Sequence, residues 1–262
     1  MKPSAYPKYT SLFLLLTLSV AGNLIRPKAA IAQIVTTPTT SGGIGPFTLL
    51  SPETLNLVIY GGGFVSANFA ATDQGIQANQ SITQNIGLIA RVTGYQLYIN
   101  DDYDNPLDPG KGHEARLNFG RFQGGFDFRF FGDTYLAILG GGDVGDSDAG
   151  TAEVDLSRWL IQSSQHPLNV TATSIYNTEN LVVSNEVDLR AVAYSAESYT
   201  LLAGAGGAIY AAGFVHGVAG WGGPILGLYL SHWGIGLDIQ SGYGSAEEYG
   251  KISLYKELQW NE

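Results

Sequence analysis

Three groupings of side chains have residue types suited to chemistry. Residues 101–110 read Asp-Asp-Tyr-Asp-Asn-Pro-Leu-Asp-Pro-Gly. Asp101, Asp102, Asp104 and Asp108 bring carboxylates together in one turn-rich stretch, and calcium needs hard oxygens of this kind. The string lacks the glycine and the closing glutamate of an EF-hand loop, and Asp, Asn and Pro are ordinary turn formers. Calcium on these aspartates is the only cofactor expectation the sequence raises; a solvated loop is the plain alternative. Asp143, Asp146 and Asp148 form a second, weaker cluster. His216, Ser231 and His232 invite a Ser-His hydrolase reading. A dyad needs the nucleophile within hydrogen-bond reach of its base. Ser231 and His232 are adjacent, so on a strand they would face opposite ways. The chain has no Gly-x-Ser-x-Gly elbow, Walker loop, zinc-helix motif or dinucleotide fingerprint. The third grouping is two acid pairs, Glu153/Asp155 and Glu186/Asp188. Same-face neighbours on a strand stand about 6.6–6.8 Å apart at Cα, a spacing a glycosidase could use. Arg158 and Arg190 lie close by in sequence, and internal ion pairing accounts for the same residues. No catalytic constellation emerges, and a non-enzymatic protein is expected.

The acids of the third grouping sit in strings of a particular kind. In Glu186-Val187-Asp188-Leu189-Arg190-Ala191-Val192-Ala193 the charges and the apolar residues separate onto alternate positions. A helix would scatter these charges around its circumference; a strand puts them all on one face. The split recurs at 115–119, 126–130, 152–156, 235–240 and 252–255. Further strands are expected over 55–69, 86–99, 134–140, 168–176, 199–212 and 224–230, separated by Gly, Asp, Asn and Pro. A short helix over Val154–Gln162 is the only helical competitor. The string Glu-Val-Asp-Leu occurs at 153–156 and again at 186–189, which reads as two strands of similar design, not as a repeat.

Ahead of these strands lies an address. Lys2 and Lys8, the apolar run Leu12–Ala21 and the small-x-small site Ala30-Ile31-Ala32 describe a secretory signal peptide over residues 1–32. The apolar run is too short for a membrane helix, which needs about 20 residues. Residues 33–54, rich in Thr, Gly and Pro, are expected to be a flexible N-terminal segment, and 55–262 a single β domain.

Composition narrows the class further. The 262-residue chain carries 13 Lys and Arg against 23 Asp and Glu, with 35 Gly and no Cys. Disulfides, thiolate metal sites and a cysteine nucleophile are excluded. The acidic balance argues against nucleic acid as a partner. Charged residues make up only 14% of the chain, well below the ~25% of an ordinary soluble domain. An exported chain without cysteine suits a bacterial envelope.

Two architectures give strands one polar and one apolar face. A soluble barrel or sandwich turns the apolar face inward; a transmembrane barrel turns it to lipid and lines its lumen with polar groups. Lysine is scarce, and the polar faces mix Arg with Asp and Glu, which suits a packed lumen. Residues 198–237 contain no Lys, Arg, Asp or Glu but many Gly, with Tyr199, Tyr210, Trp221, Tyr229 and Trp233. The Gly density and Pro224 argue against transmembrane helices there.

In these features residues 55–262 resemble the bacterial outer-membrane β-barrel class. The C-terminal segment, with Ile252, Leu254, Leu258 and Trp260 on one parity, is similar to the aromatic-ending last strand of that class. It departs from the pattern in Lys256, which interrupts the apolar face, and in Asn261 and Glu262, which follow the Trp. The resemblance implies an antiparallel up-and-down β-barrel of about 10 strands (8–12) in contact with outer-membrane lipid. Its function would be that of a small-solute channel or a structural envelope protein. The alternative is a soluble exported all-β protein, periplasmic or secreted, that binds or cleaves a ligand such as a carbohydrate. Under the barrel reading, Arg91, Arg116, Arg129, Glu153, Asp155, Glu186, Asp188, Arg190 and Asp238 share the lumenal face and form its charge network. Nothing in the sequence bears on oligomeric state.

Overall fold

The computed structural model describes residues 54–66, 69–99, 115–130, 134–146, 148–161, 168–178, 182–212, 218–230, 232–244 and 247–261. The expected signal peptide and nearly all of the N-terminal segment lie outside these residues. The described chain forms twelve strands: β1 (Thr54–Ser66), β2 (Phe69–Ser81), β3 (Ile86–Ile99), β4 (Ala115–Phe130), β5 (Thr134–Gly145), β6 (Gly150–Ile161), β7 (Leu168–Asn177), β8 (Val182–Ser195), β9 (Thr200–Ala212), β10 (Val218–Leu230), β11 (Ile235–Gly244) and β12 (Glu247–Asn261). Each pairs antiparallel with its neighbours in sequence, and β1 pairs with β12, with Tyr60 opposite Tyr255. Closure leaves no free edge, so every strand has a partner on both sides. The fold is a closed up-and-down barrel.

Its faces are inverted relative to a soluble protein. The outer positions carry large exposed apolar side chains, among them Phe122 (52%), Phe126 (50%), Val187 (51%) and Leu226 (66%). The inner positions bury Arg91 (1%), Glu153 (1%), Asp155 (2%) and Asp188 (4%). Water would penalise the first arrangement and hydrocarbon would reward it, so the soluble alternative falls. Exposed aromatics stand near both rims: Tyr194 and Trp233 at the end that holds both termini, Tyr176 and Tyr243 at the opposite end. Such rings with polar tips suit the two membrane–water boundaries.

The twelve strands stand at the top of the expected range of 8–12, and they differ from the sequence reading in two places. β2 (FAATDQGIQANQS) carries only one large apolar side chain, Ile76, on its outer face, so its alternation is faint. β4 is a single strand of 16 residues, although Gly120, Gly124 and Gly125 make its sequence read as two pieces. The neutral stretch 198–237 forms β9, β10 and the start of β11, and Val154–Ile161 lies in strand β6, not in a helix.

The lumen is filled by long side chains lying over glycines. Tyr60 on β1 lies across Gly75 on β2, its register partner, and Tyr255 on β12 lies across Gly236 on β11. A Cβ on Gly75 would overlap the Tyr60 ring, and one on Gly236 the Tyr255 ring. Only glycine permits that approach.

The inverted faces make one test direct. Leu189→Arg places a cation on the outer face near the middle of β8 and should cost about 2–4 kcal/mol of folding free energy in bilayers. Equilibrium urea titration of folding into lipid vesicles, read by tryptophan fluorescence, should show that loss. An unchanged midpoint would mean that this face does not meet hydrocarbon.

Candidate functional site: the lumenal charge network

Charged side chains of eight strands (β2, β3, β4, β5, β6, β8, β11 and β12) point inside, and register decides which of them meet. The first network centres on Arg91, at the middle of β3. Its guanidinium binds Glu153, donates from Nη2 to Asp155 Oδ2 at 3.0 Å and from Nε to Gln77 Oε1 at 3.0 Å. Gln123 on β4 donates to the second Glu153 oxygen at 2.8 Å. Gln77 donates to Asn79 at 2.7 Å, and Asn79 to Asp127 at 3.0 Å. Side chains from β2, β3, β4 and β6 are thereby tied together. One arginine spans two carboxylates because its planar fork presents donors in several directions.

The second network crosses the lumen. Lys251 on β12 reaches Glu186 on β8 at 2.5 Å. Arg190 on β8 binds Asp188 at 2.8 Å and lies 3.4 Å from Asp238 on β11. A cavity of about 10 Å³, lined by Arg190, Ile225, Asp238, Gln240, Lys251 and Ser253, adjoins these pairs. It has room for about one water molecule.

A third group lies toward the end away from the termini. Arg121 on β4 clasps Asp143 on β5 through two bonds of 2.7 and 2.9 Å, and Asn177 donates to the same carboxylate at 3.1 Å. The guanidinium sits 5.2 Å from the ring centre of Tyr95 and 5.8 Å from that of Phe119. On the opposite wall of this half, Phe64, Trp221 and Tyr249 pack together, with Phe64 and Tyr249 stacked at 5.4 Å. At the other end Tyr229 donates to Glu257 at 3.1 Å.

Of the nine residues expected on the lumenal face, Arg91, Glu153, Asp155, Glu186, Asp188, Arg190 and Asp238 are buried there. Arg129 shares their parity, half-buried, with its guanidinium 5.6 Å from the ring centre of Tyr135. Arg116 has the other parity and is exposed. The polar and apolar phases of β4 exchange at Gly120. Beyond it Phe119 turns inward to stack on Tyr95 at 4.9 Å, and Arg116 and Asn118 turn outward near the rim. Arg158 is likewise outward and exposed, so the cation of the Glu153/Asp155 pair is Arg91 from β3 and not the arginine nearer in sequence. Lys256, which interrupts the apolar parity of β12, satisfies its ammonium on the carbonyl of Trp233 near the rim.

Several members of the network escape a reading by alternation. Arg121 and Gln123 stand among glycines and phenylalanines, where no charge alternates with them. Asp73 and Gln77 lie on the faint β2. Lys251 does alternate, in Lys251-Ile252-Ser253-Leu254-Tyr255, so its position was visible in the pattern. Asp143, grouped by sequence with Asp146 and Asp148, is committed to Arg121. Asp146 instead accepts the Asn118 amide at 2.7 Å. Among the described residues no group of three or more His, Cys, Asp or Glu side chains is arranged to hold a metal. Asp101, Asp102, Asp104 and Asp108 lie outside the described residues, as do His216 and Ser231; His232 is exposed.

No family model matches the chain, and no curated protein matches it. A solved structure does. An outer-membrane channel from Pseudomonas putida F1 is similar over 80% of this chain and 97% of its own, at 10% identity and a TM-score of 0.51. The fold is that of bacterial outer-membrane β-barrels. The translocator domain of the autotransporter NalP from Neisseria meningitidis (11% identity, 81% of this chain and 90% of that one, TM-score 0.49) is a more distant likeness. So is the β domain of the Bordetella autotransporter BrkA (11%, 78% and 99%, TM-score 0.48). At such identities the likeness is one of architecture.

The Arg91 cluster makes a second prediction. Arg91→Met leaves Glu153 and Asp155 without their shared cation and should cost about 3–5 kcal/mol. Adding Glu153→Gln and Asp155→Asn removes the stranded charges and should restore most of that loss. Urea midpoints of the single and triple variants decide it; a triple variant no better than Arg91→Met would show that packing, not charge, sets the cost.

Proposed function

We propose that the protein is a non-enzymatic outer-membrane barrel that acts as a narrow channel for water and small inorganic ions. The observation that carries this reading is the Lys251–Glu186 pair, a chord from β12 to β8 across the lumen. Barrel width grows with strand number: about eight strands enclose packed side chains, and 16–18 leave an aqueous channel. Twelve strands lie between these limits. Here the added width is taken up by Arg91, Tyr60, Tyr255 and the paired acids, and the cavity beside Arg190 is water-sized. On this reading metabolite-sized solutes are excluded. The end bearing the termini suits the periplasm, since periplasmic turns are short.

A structural envelope role is the second reading, favoured by the same cross-lumen ties, which would serve a barrel that conducts nothing. Purified protein in planar bilayers and in proteoliposomes separates the two. The channel reading expects a small, steady potassium chloride conductance and no swelling in isosmotic arabinose. Rapid swelling would overturn the narrow lumen. A seal as tight as protein-free lipid would leave the structural role.

A further inference from the structure

The second network is unbalanced around one group. Asp73 on β2 is an inward residue, 4% exposed. Apart from its own backbone amide, neither carboxylate oxygen has a hydrogen-bond partner. A buried carboxylate in this condition is costly unless something supplies charge or donors. Its setting is specific. Its register partners are Gly62 on β1 and Tyr95 on β3. Gly62 has no side chain, and the Asp73 carboxylate leans over it: Oδ1 lies 2.8 Å from the point where a Gly62 Cβ would stand. The hydroxyl of Ser253 lies 3.5 Å from the same point, and Ser253 also lines the water-sized cavity. The Tyr95 hydroxyl, on the other flank, is buried and has no hydrogen-bond partner either. The nearest cation in this network, Lys251, is held by Glu186.

Counting the local charges sharpens the point. Among the described residues the acids Asp73, Glu186, Asp188 and Asp238 outnumber the cations Arg190 and Lys251 set among them, and neither cation bonds the Asp73 carboxylate. From this we infer that Asp73 is a lumenal binding site for a monovalent inorganic cation, shared with the Ser253 and Tyr95 hydroxyls and completed by water. One carboxylate with neutral oxygens does not make the multidentate cage that calcium requires, nor the rigid octahedron of magnesium. A partly hydrated potassium or sodium ion fits the donors present. This inference rests on the narrow-channel reading and names the species that the lumen selects. Asp73 then sets cation preference, because an ion crossing this level exchanges part of its water for the carboxylate.

Two measurements test it, one of which does not need conduction. The first is the thermal midpoint of the folded barrel in detergent, read by loss of its compact gel band. It is taken in potassium chloride and in N-methylglucamine chloride at equal ionic strength. Potassium should raise the midpoint of the native protein on the order of 2–4 °C. Asp73→Asn, which keeps the shape and removes the charge, should abolish the difference. Equal midpoints in the two salts for the native protein would mean that Asp73 holds only a proton or water, and would overturn the site. The second is the reversal potential in a potassium chloride gradient across a planar bilayer. The native channel should prefer potassium over chloride, and Asp73→Asn should bring the permeability ratio toward unity. A conducting Asp73→Asn channel with native selectivity also overturns the site. Absence of conductance in the native protein overturns the channel reading alone and leaves the thermal comparison to decide the cation.

Discussion

The inner face of this barrel is lined with charge, and that charge can be offset only by groups that stand beside it. Side chains cannot leave the lumen, because the outer face belongs to hydrocarbon. They have little water to retreat into, because the inward charged side chains are almost all buried. Among the described inward residues, Arg91, Arg121, Arg129, Arg190 and Lys251 face Asp73, Asp127, Asp143, Glu153, Asp155, Glu186, Asp188, Asp238 and Glu257. The positions of the five cations therefore decide which strands are tied. Arg91 joins β3 to β6, Arg121 joins β4 to β5, Arg190 joins β8 to β11, and Lys251 joins β12 to β8. The Arg121 tie reinforces a neighbouring pair, and the other three supplement backbone pairing with links between strands that are not neighbours.

Filling the lumen sets a second requirement, and glycine meets it. Long inward side chains need space beside them on the adjacent strand. Tyr60 over Gly75 and Tyr255 over Gly236 are matched arrangements on either side of the β1–β12 seam. Tyr229, also opposite Gly236, stacks on Tyr255 at 6.3 Å. The seam that closes the barrel is thus packed from inside by tyrosines whose rings take up width and whose hydroxyls reach polar groups. Tyr60 bonds Thr93 and Tyr229 bonds Glu257. The high glycine content follows from this need as much as from turns.

How much of this was legible in the sequence depends on which physical rule was at work. Alternation is local, and it reports the face of a residue wherever large apolar and charged residues take turns, as in Glu186–Arg190. It fails on β2, where Ala70, Thr72 and Gln74 occupy outer positions. It misleads at Arg116, near the rim, where the polar residues of β4 change to the outer face. Pairing is not local. Arg91 and Asp155 are 64 residues apart, and their meeting depends on the register of three strand pairs between β3 and β6. No spacing in the sequence records that register. Hence the members of the network were largely readable, while its bonds were not, and Arg158 was the plausible wrong partner.

Among the described residues pairing leaves the lumen with more acid than base, and this excess has a consequence that does not depend on any one bond. Each cation is already engaged, so the surplus carboxylates impose a negative potential on a space enclosed by low-dielectric walls. Such walls focus the field rather than dissipate it. Under the channel reading this field would draw small cations toward either mouth and hold anions off before they reach the ties. Weakening a cross-lumen tie by replacing Lys251 removes one of the few positive charges as it opens the chord. Opening and cation preference are therefore coupled in the same residue: a wider lumen made this way is also a more negative one. Replacing Glu186 opens the same chord but frees a lysine, and shifts the balance toward anions. The two ends of one ion pair thus differ in what their loss would admit, although both leave the same gap.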